Sequence, residues 1–369
     1  MAHESALETS SGVRLDANEV TGAIGDSITV LPIVVALAVT TRVSLSHALV
    51  FFGVFQVVWG VRYGLPISVE PMKALAGLAI AGSLTYHEYL GAGLIAGVVL
   101  LAFAATGTLS RVETWIGTPV IRGIQLAVAL ILLQTGIDLA LGAPAIAAAG
   151  LAIAGVAIVA GYRRASALVV LGVGVVVALA TTGVPAPALP ALAVFPGGGP
   201  TFTLGSVEGA IAQLAMTVGN AAVATALLFE DLLDAEVSTD DLAGSMGGMC
   251  LVSIPLGGIP MCHGSGGLAG KYAFGARTGG ANVVLGGLYL IAALVAGGGL
   301  LAAFPMAFLG VLLVLVAVQL GDAARESDHL LLTGAIGAIG LLANVGVAFV
   351  VGAIAYWVLQ QGFLDRRSP

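Results

Sequence analysis

Two short stretches hold most of the side chains able to do chemistry in this chain. "PISVEPMKALAG", residues 66–77, places Ser68, Val69, Glu70 and Lys73 around a pair of prolines. "GGIPMCHGSGGLAGKYAFGAR", residues 257–277, places Met261, Cys262, His263, Gly264 and Ser265 after another proline. Neither contains a nucleophile with its base, a Walker loop, a dinucleotide fingerprint or a zinc-peptidase motif, and "GGLAGK" (266–271) lacks the phosphate-loop spacing. Cys262 beside His263 gives two ligands where zinc takes four. No enzyme activity, cofactor or resident metal is therefore expected, and Met261 and Cys262 read as packing residues.

What these residue types suit is holding an anion. The residue before each proline is biased away from helix, so 65–70 reads as extended and 71 onward as a half-helix, with a second break and half-helix from Pro260. Each helix start offers free amides and the equivalent of ~0.5 positive charge. Glycines at 264, 266 and 267 let an oxyanion approach the backbone. Two such starts offset about one negative charge, and Lys73 is the candidate for the second charge of a dianion. Glu70 lies three residues before Lys73, which allows an i,i+3 pair that stiffens the break, or a carboxyl that takes up a proton as the anion binds. His263 is suited to donating to an oxyanion, to titrating with proton flux, or to bonding within its turn. Asp26 and Ser27 lie in the first apolar segment, where an ionisable group is costly; they serve coupling or cap one of the half-helices.

The elements that must position these groups are membrane helices. Of 369 residues, 59% are hydrophobic and only 9% charged, with a mean hydropathy of +1.07, which is the composition of a polytopic α-helical membrane protein. Two cysteines imply no disulfide framework, and a net charge of −7 leaves nothing to grip a nucleic acid. The polar, acidic first 20 residues lack the pattern of a signal peptide. Apolar runs separated by Gly/Pro or polar punctuation give about fourteen segments, or twelve if short ones merge or re-enter. With fourteen crossings and the N-terminus inside, Arg14, Arg62, Arg111, Arg163, Arg164, Lys271, Arg277, Arg325, Arg366 and Arg367 fall on the cytoplasmic side and Arg42 outside. That bias predicts both termini in the cytoplasm.

Sliding the chain on itself by 194 residues superposes Gly25-Asp26 on Gly219-Asn220 and Pro66 on Pro260. Seven segments per copy make the second copy enter the membrane in the opposite sense, an inverted repeat.

At these two proline-led segments the chain resembles the molybdate transporter family, distant relatives of the sulfate permeases. The resemblance implies a 7+7 inverted-repeat fold with two discontinuous half-helices. A core domain would comprise 17–110 and 205–300, and a gate domain 111–190 and 301–361. It implies a substrate site between the half-helices, formed by Ser68, Val69, Glu70, Lys73, Met261, Cys262, His263, Gly264 and Ser265, with Asp26, Ser27, Glu70, Asn220 and His263 as polar coupling groups. Glu70 departs from the neutral glutamine expected there, and would repel a dianion unless protonated or paired to Lys73. The implied activity is secondary transport of molybdate across the cytoplasmic membrane, with a proton as possible co-substrate and a homodimer as the family's expected assembly. Sulfate, tungstate, another anion or a nucleobase are the alternative cargoes, and an oxyanion channel or sensor the alternative class.

Overall fold

The computed structural model describes residues 12–109, 111, 116–163, 165–191, 193–297 and 299–365; the side chains of Thr29, Asn220 and residues 362–365 lie outside the described set. Among the described residues the chain forms fourteen helices of a turn or more beyond short 3-10 pieces. The first seven are α1 (Ala17–Thr40), α2 (Leu45–Tyr63), α3 (Lys73–Ile80), α4 (Tyr86–Thr106), α5 (Thr118–Leu141), α6 (Pro144–Val159) and α7 (Ser166–Thr182). The others are α8 (Leu204–Leu233), α9 (Thr239–Ser253), α10 (Ser265–Ala273), α11 (Gly280–Val295), α12 (Met306–Asp322), α13 (Leu330–Leu342) and α14 (Val345–Asp365). Each falls on one of the fourteen apolar segments read from the sequence. Four of them, α2, α4, α5 and α8, together with Met306–Glu326, are long and apolar enough to cross a membrane, and α1 is a sixth if its bent halves form one span. This is an all-α polytopic membrane fold with broken helices.

The breaks have local causes. Gly64 ends α2 at φ 68° and Gly257 follows Pro255 at φ 86°, a left-handed conformation that costs glycine nothing. Extended chain then runs to Glu70–Pro71 (β1) and to Met261–Cys262 (β2), which pair antiparallel with Glu70 opposite Cys262 and Pro71 opposite Met261. Met72 N–H adds a bond to Pro260 O at 3.0 Å. Part of the backbone left over by each broken helix is thus satisfied by the other, and further groups are taken by side chains, as a hydrocarbon surround demands.

Helices α1 and α8 are both irregular. α1 bends by 43° between Ile28 and Val30, where Pro32 removes the hydrogen bond to the preceding turn. α8 carries a π-helical stretch over Thr217–Val223. Where α1 crosses α10, Gly25 lies against the Gly270 backbone so closely that any side chain there would collide with main-chain atoms. That approach sets Asp26 beside Lys271. The remaining pairings, α2 with α11, α4 with α9 and α5 with α12 and α13, surround the paired breaks with apolar side chains.

Candidate functional site

The two half-helices start side by side, and the protein's own side chains already engage part of their amide sets. Ala74 and Leu75 at the start of α3 donate to Gln213 Oε1 at 3.0 and 3.3 Å, and Gln213 Nε2 is held by Thr217 Oγ1 at 2.9 Å. At the start of α10, Gly267 donates to Glu70 Oε1 at 3.0 Å. A Cβ on Gly267 would strike Ser68, Asp26 and Glu70, and one on Gly264 would strike the Glu70 carboxyl. These glycines let the Glu70 carboxylate, rather than an outside anion, close on the backbone.

Glu70 is also the i,i+3 partner of Lys73, with Oε2 and Nζ 2.5 Å apart. Behind it, Ser68 Oγ donates to Asp26 Oδ1 at 2.5 Å and lies 3.3 Å from Glu70 Oε1. Asp26 Oδ2 accepts from Gln56 Nε2 at 2.6 Å and pairs with Lys271 Nζ at 3.1 Å. Ser27 Oγ meets Tyr289 OH at 3.2 Å. His263 sits between Ser68 O, 2.8 Å from Nδ1, and Ser245 Oγ, 2.6 Å from Nε2. A carbonyl can only accept, so Nδ1 carries a proton. Its ring stands edge-on to Trp59 and Tyr63, and Tyr63 OH reaches Ser245 at 3.3 Å.

Most of this cluster is sealed. Asp26, Ser27, Ser68, Val69, Glu70, Met261, Cys262, His263 and Gly264 are all buried, and Val69 contributes its carbonyl, 3.4 Å from Gln56 Nε2. Lys73 and Ser265 instead line an open cavity of about 490 Å³ with the exposed Gly266. Across it stand Arg122 and Gln125 of α5, Gln319 and Leu320 of α12, and Glu326. Arg122 donates from Nη1 to Gln125 Oε1 at 2.9 Å and from Nη2 to Glu326 Oε2 at 2.5 Å, while its buried Nε has no hydrogen-bond partner among the described residues. A cation therefore faces the cavity from each wall, each held by a carboxylate.

Two placements differ from the sequence reading. Lys271 is no loop charge marking the cytoplasmic side: it is fully buried at the Asp26 cluster, because α10 continues through it. The half-helix starts are not a bare pocket of amides, since Glu70 and Gln213 fill them. Asn220's side chain, like Arg164, Arg366 and Arg367, lies outside the described residues. Sequence reasoning missed Arg122, Gln56 and Asn282 as site groups. Gln56 had a signal, a lone amide within the apolar "LVFFGVFQVVWG".

The neighbouring glycines separate fold from ligand space. Gly267→Ala is expected to prevent accumulation of folded protein, because its Cβ collides with three buried polar groups. Gly266→Ala meets nothing within 4 Å. It should fold and melt no lower than wild type, and if an anion is held against the Gly266 amide the added methyl should weaken its uptake by about 10-fold, by keeping the anion off that N–H. Purification yield and uptake by the two variants check the pair.

A polytopic helical protein with two broken helices paired in its interior, and cations facing a cavity beside them, belongs to the class of membrane transporters with discontinuous helices. Comparison with known proteins narrows this. The family described as "Molybdate transporter of MFS superfamily" matches residues 18–132 and 205–320, the two stretches that contain the breaks. Molybdate transporter 1 of Arabidopsis thaliana is 31% identical across 98% of this chain and 92% of its own length, and molybdate transporter 2 of the same plant 30% identical across 95% and 89%. The transmembrane domain of a cyanobacterial bicarbonate transporter, BicA, shares the fold with a TM-score of 0.63 at 15% identity, over 92% of this chain and 96% of that one. The chain belongs to the molybdate transporter family, and it is a membrane transporter of the molybdate or oxyanion type.

Proposed function

We propose that a tetrahedral dianion, molybdate or the chemically similar tungstate and sulfate, binds in the cavity between Lys73 and Arg122 and is imported by alternating access. The cations on opposite walls carry this reading. Lys73, Ser265 and the Gly266 amide form one wall, on the half-helices, and Arg122 and Gln125 the other, on α5. In this reading the first wall belongs to a core of α1–α4 and α8–α11, and the second to a gate of α5–α7 and α12–α14. The gate slides past the core and exposes the anion to one side and then the other. Both termini face the cytoplasm. The exposed apolar faces of α6, α7 and α14 suit lipid and a second copy equally well, so a homodimer is compatible with the same reading.

Charge counting adds a proton. Lys73 is paired with Glu70 and Arg122 with Glu326, so the cavity is close to neutral before the ligand arrives. A dianion needs two free positive charges in a poorly solvated space. Glu326 has 65% of its side chain exposed and can turn to water, which frees Arg122. Glu70 is buried and has no such exit; a proton on its carboxyl frees Lys73. One proton entering with each anion therefore balances the site.

Purified protein in sealed proteoliposomes, given labelled molybdate, tests the assignment. Saturable accumulation above the external concentration, driven by an inward proton gradient and competed by tungstate, is the expected result. Flux that only equilibrates indicates a channel, and binding without flux a sensor. Neither binding nor flux of any of the three oxyanions removes the assignment.

A further inference from the structure

The transport reading leaves Lys271 without a task. Its side chain is fully buried, and its ammonium lies 2.6 Å from Ile67 O, 2.8 Å from Gln56 Oε1 and 3.1 Å from Asp26 Oδ2. An ammonium has three hydrogens, and each has an oxygen here. The oxygens come from three separate places: α1, α2 and the extended chain leading to β1. Lysine arrives on a fourth, α10.

The oxygens are held by groups other than the lysine. Asn282 Nδ2, from α11, donates to both Gln56 Oε1 and Ile67 O at 2.6 Å, and Gln56 Nε2 donates to Asp26 Oδ2 at 2.6 Å. Removing the ammonium would leave this frame of bonds standing, with one carboxylate, one amide oxygen and one main-chain carbonyl turned on a common point. Asn282 Oδ1, on the same amide, is buried and has no hydrogen-bond partner among the described residues, so a further acceptor lies beside the cage. A hard cation takes such an all-oxygen set, and a single carboxylate matches a single positive charge.

We infer that Lys271 fills a site shaped for a small monovalent cation. The charge that a bound sodium or potassium ion would bring to the base of the broken segments is carried covalently by α10. Two consequences follow. Oxyanion uptake is indifferent to the identity of the monovalent cation in the medium. Shortening Lys271 converts the cage into a site that binds an exchangeable cation, with ammonium and methylammonium as the nearest substitutes for the missing group.

The inference rests on the transport reading only for its uptake measurement. Wild type and Lys271→Ala are purified in ammonium chloride and exchanged into chlorides of sodium, potassium, ammonium, methylammonium, tetramethylammonium or choline at constant ionic strength. Melting temperature and molybdate uptake are then measured, the uptake as exchange for internal molybdate with the same salt and pH on both sides, because free amines cross the bilayer and would alter an imposed proton gradient. Wild type is expected to show the same values in every salt. Lys271→Ala is expected to melt lower in choline and tetramethylammonium and to be restored saturably by at least one small cation. Its uptake should be about 10-fold or more slower in choline than in the best small cation, since a buried carboxylate that loses its opposite charge is strongly destabilising. Asp26→Asn combined with Lys271→Ala should abolish the cation response, because the charge that attracts the ion is gone.

Wild-type uptake that falls several-fold when sodium is replaced by choline overturns the proposal, and this holds whether or not the variant folds. A Lys271→Ala melting curve indifferent to cation identity overturns it as well. If wild type moves no oxyanion while Lys271→Ala is still stabilised saturably by a small cation, the cage stands and the transport reading fails.

Discussion

Lys73→Met is expected to reduce molybdate uptake by at least about 100-fold while the protein still folds. Two effects act in the same direction. A charged donor to an oxyanion contributes ~1.5–3 kcal/mol, and each 1.4 kcal/mol is about tenfold in affinity. Methionine also takes away the ammonium that balances the buried Glu70 carboxylate close to the anion's position, and breaking a buried ion pair from one side typically costs ~3–5 kcal/mol. Initial rates in proteoliposomes measure the first effect and the second together. Adding Glu70→Gln separates them: the double variant removes both charges and should recover uptake to within about tenfold of wild type if repulsion by Glu70 dominates. Wild-type rates from Lys73→Met alone would remove Lys73 from the site. Arg122→Gln supplies the comparison on the opposite wall, where Glu326 is left exposed rather than buried and only the lost contact to the anion is measured.

Much of this architecture was legible because the governing signals are local. Apolar runs bounded by glycine, proline and polar residues gave fourteen segments, and each became a helix. Pro66, Pro71 and Pro260 marked the two breaks, since the residue before a proline is biased away from the helical conformation and a proline donates no main-chain hydrogen bond. The spacing of Glu70 and Lys73 gave their ion pair. What could not be read is which distant residue meets which. Gln213 and Thr217 sit in an ordinary helical run, and nothing in their spacing announces that Gln213 will take the α3 amides. Lys271 resembles any basic residue near a helix end until the Gly25–Gly270 crossing brings it against Asp26. Arg122 was visible as a charge at a helix start, but its opposition to Lys73 is a matter of how α5 packs against the half-helices. The family resemblance pointed to the two broken segments; which of their side chains pair with which came from packing.

Glu70→Gln is the variant on which proton coupling turns. Glutamine keeps the shape of the carboxyl and an oxygen for the Gly267 amide, but it carries no charge, so Lys73 is released as it would be by a proton. In wild type, an anion that enters only with the protonated carboxyl should move faster as the pH on the entry side falls, by up to about tenfold per unit where proton uptake is limiting. In Glu70→Gln the same flux should be flat with pH, no longer driven uphill by a proton gradient, yet still able to exchange molybdate for molybdate across the membrane. Retained exchange is what separates lost coupling from a broken site. Affinity at alkaline pH should rise rather than fall, because the variant is always in the state that accepts the dianion, and this sign is opposite to the one expected if Glu70 touched the substrate as an ordinary ligand. A variant that keeps the full pH slope places the proton elsewhere in the cluster. His263 is the next group to examine, since it is joined to the Glu70 side by Ser68 and to the Tyr63 side by Ser245.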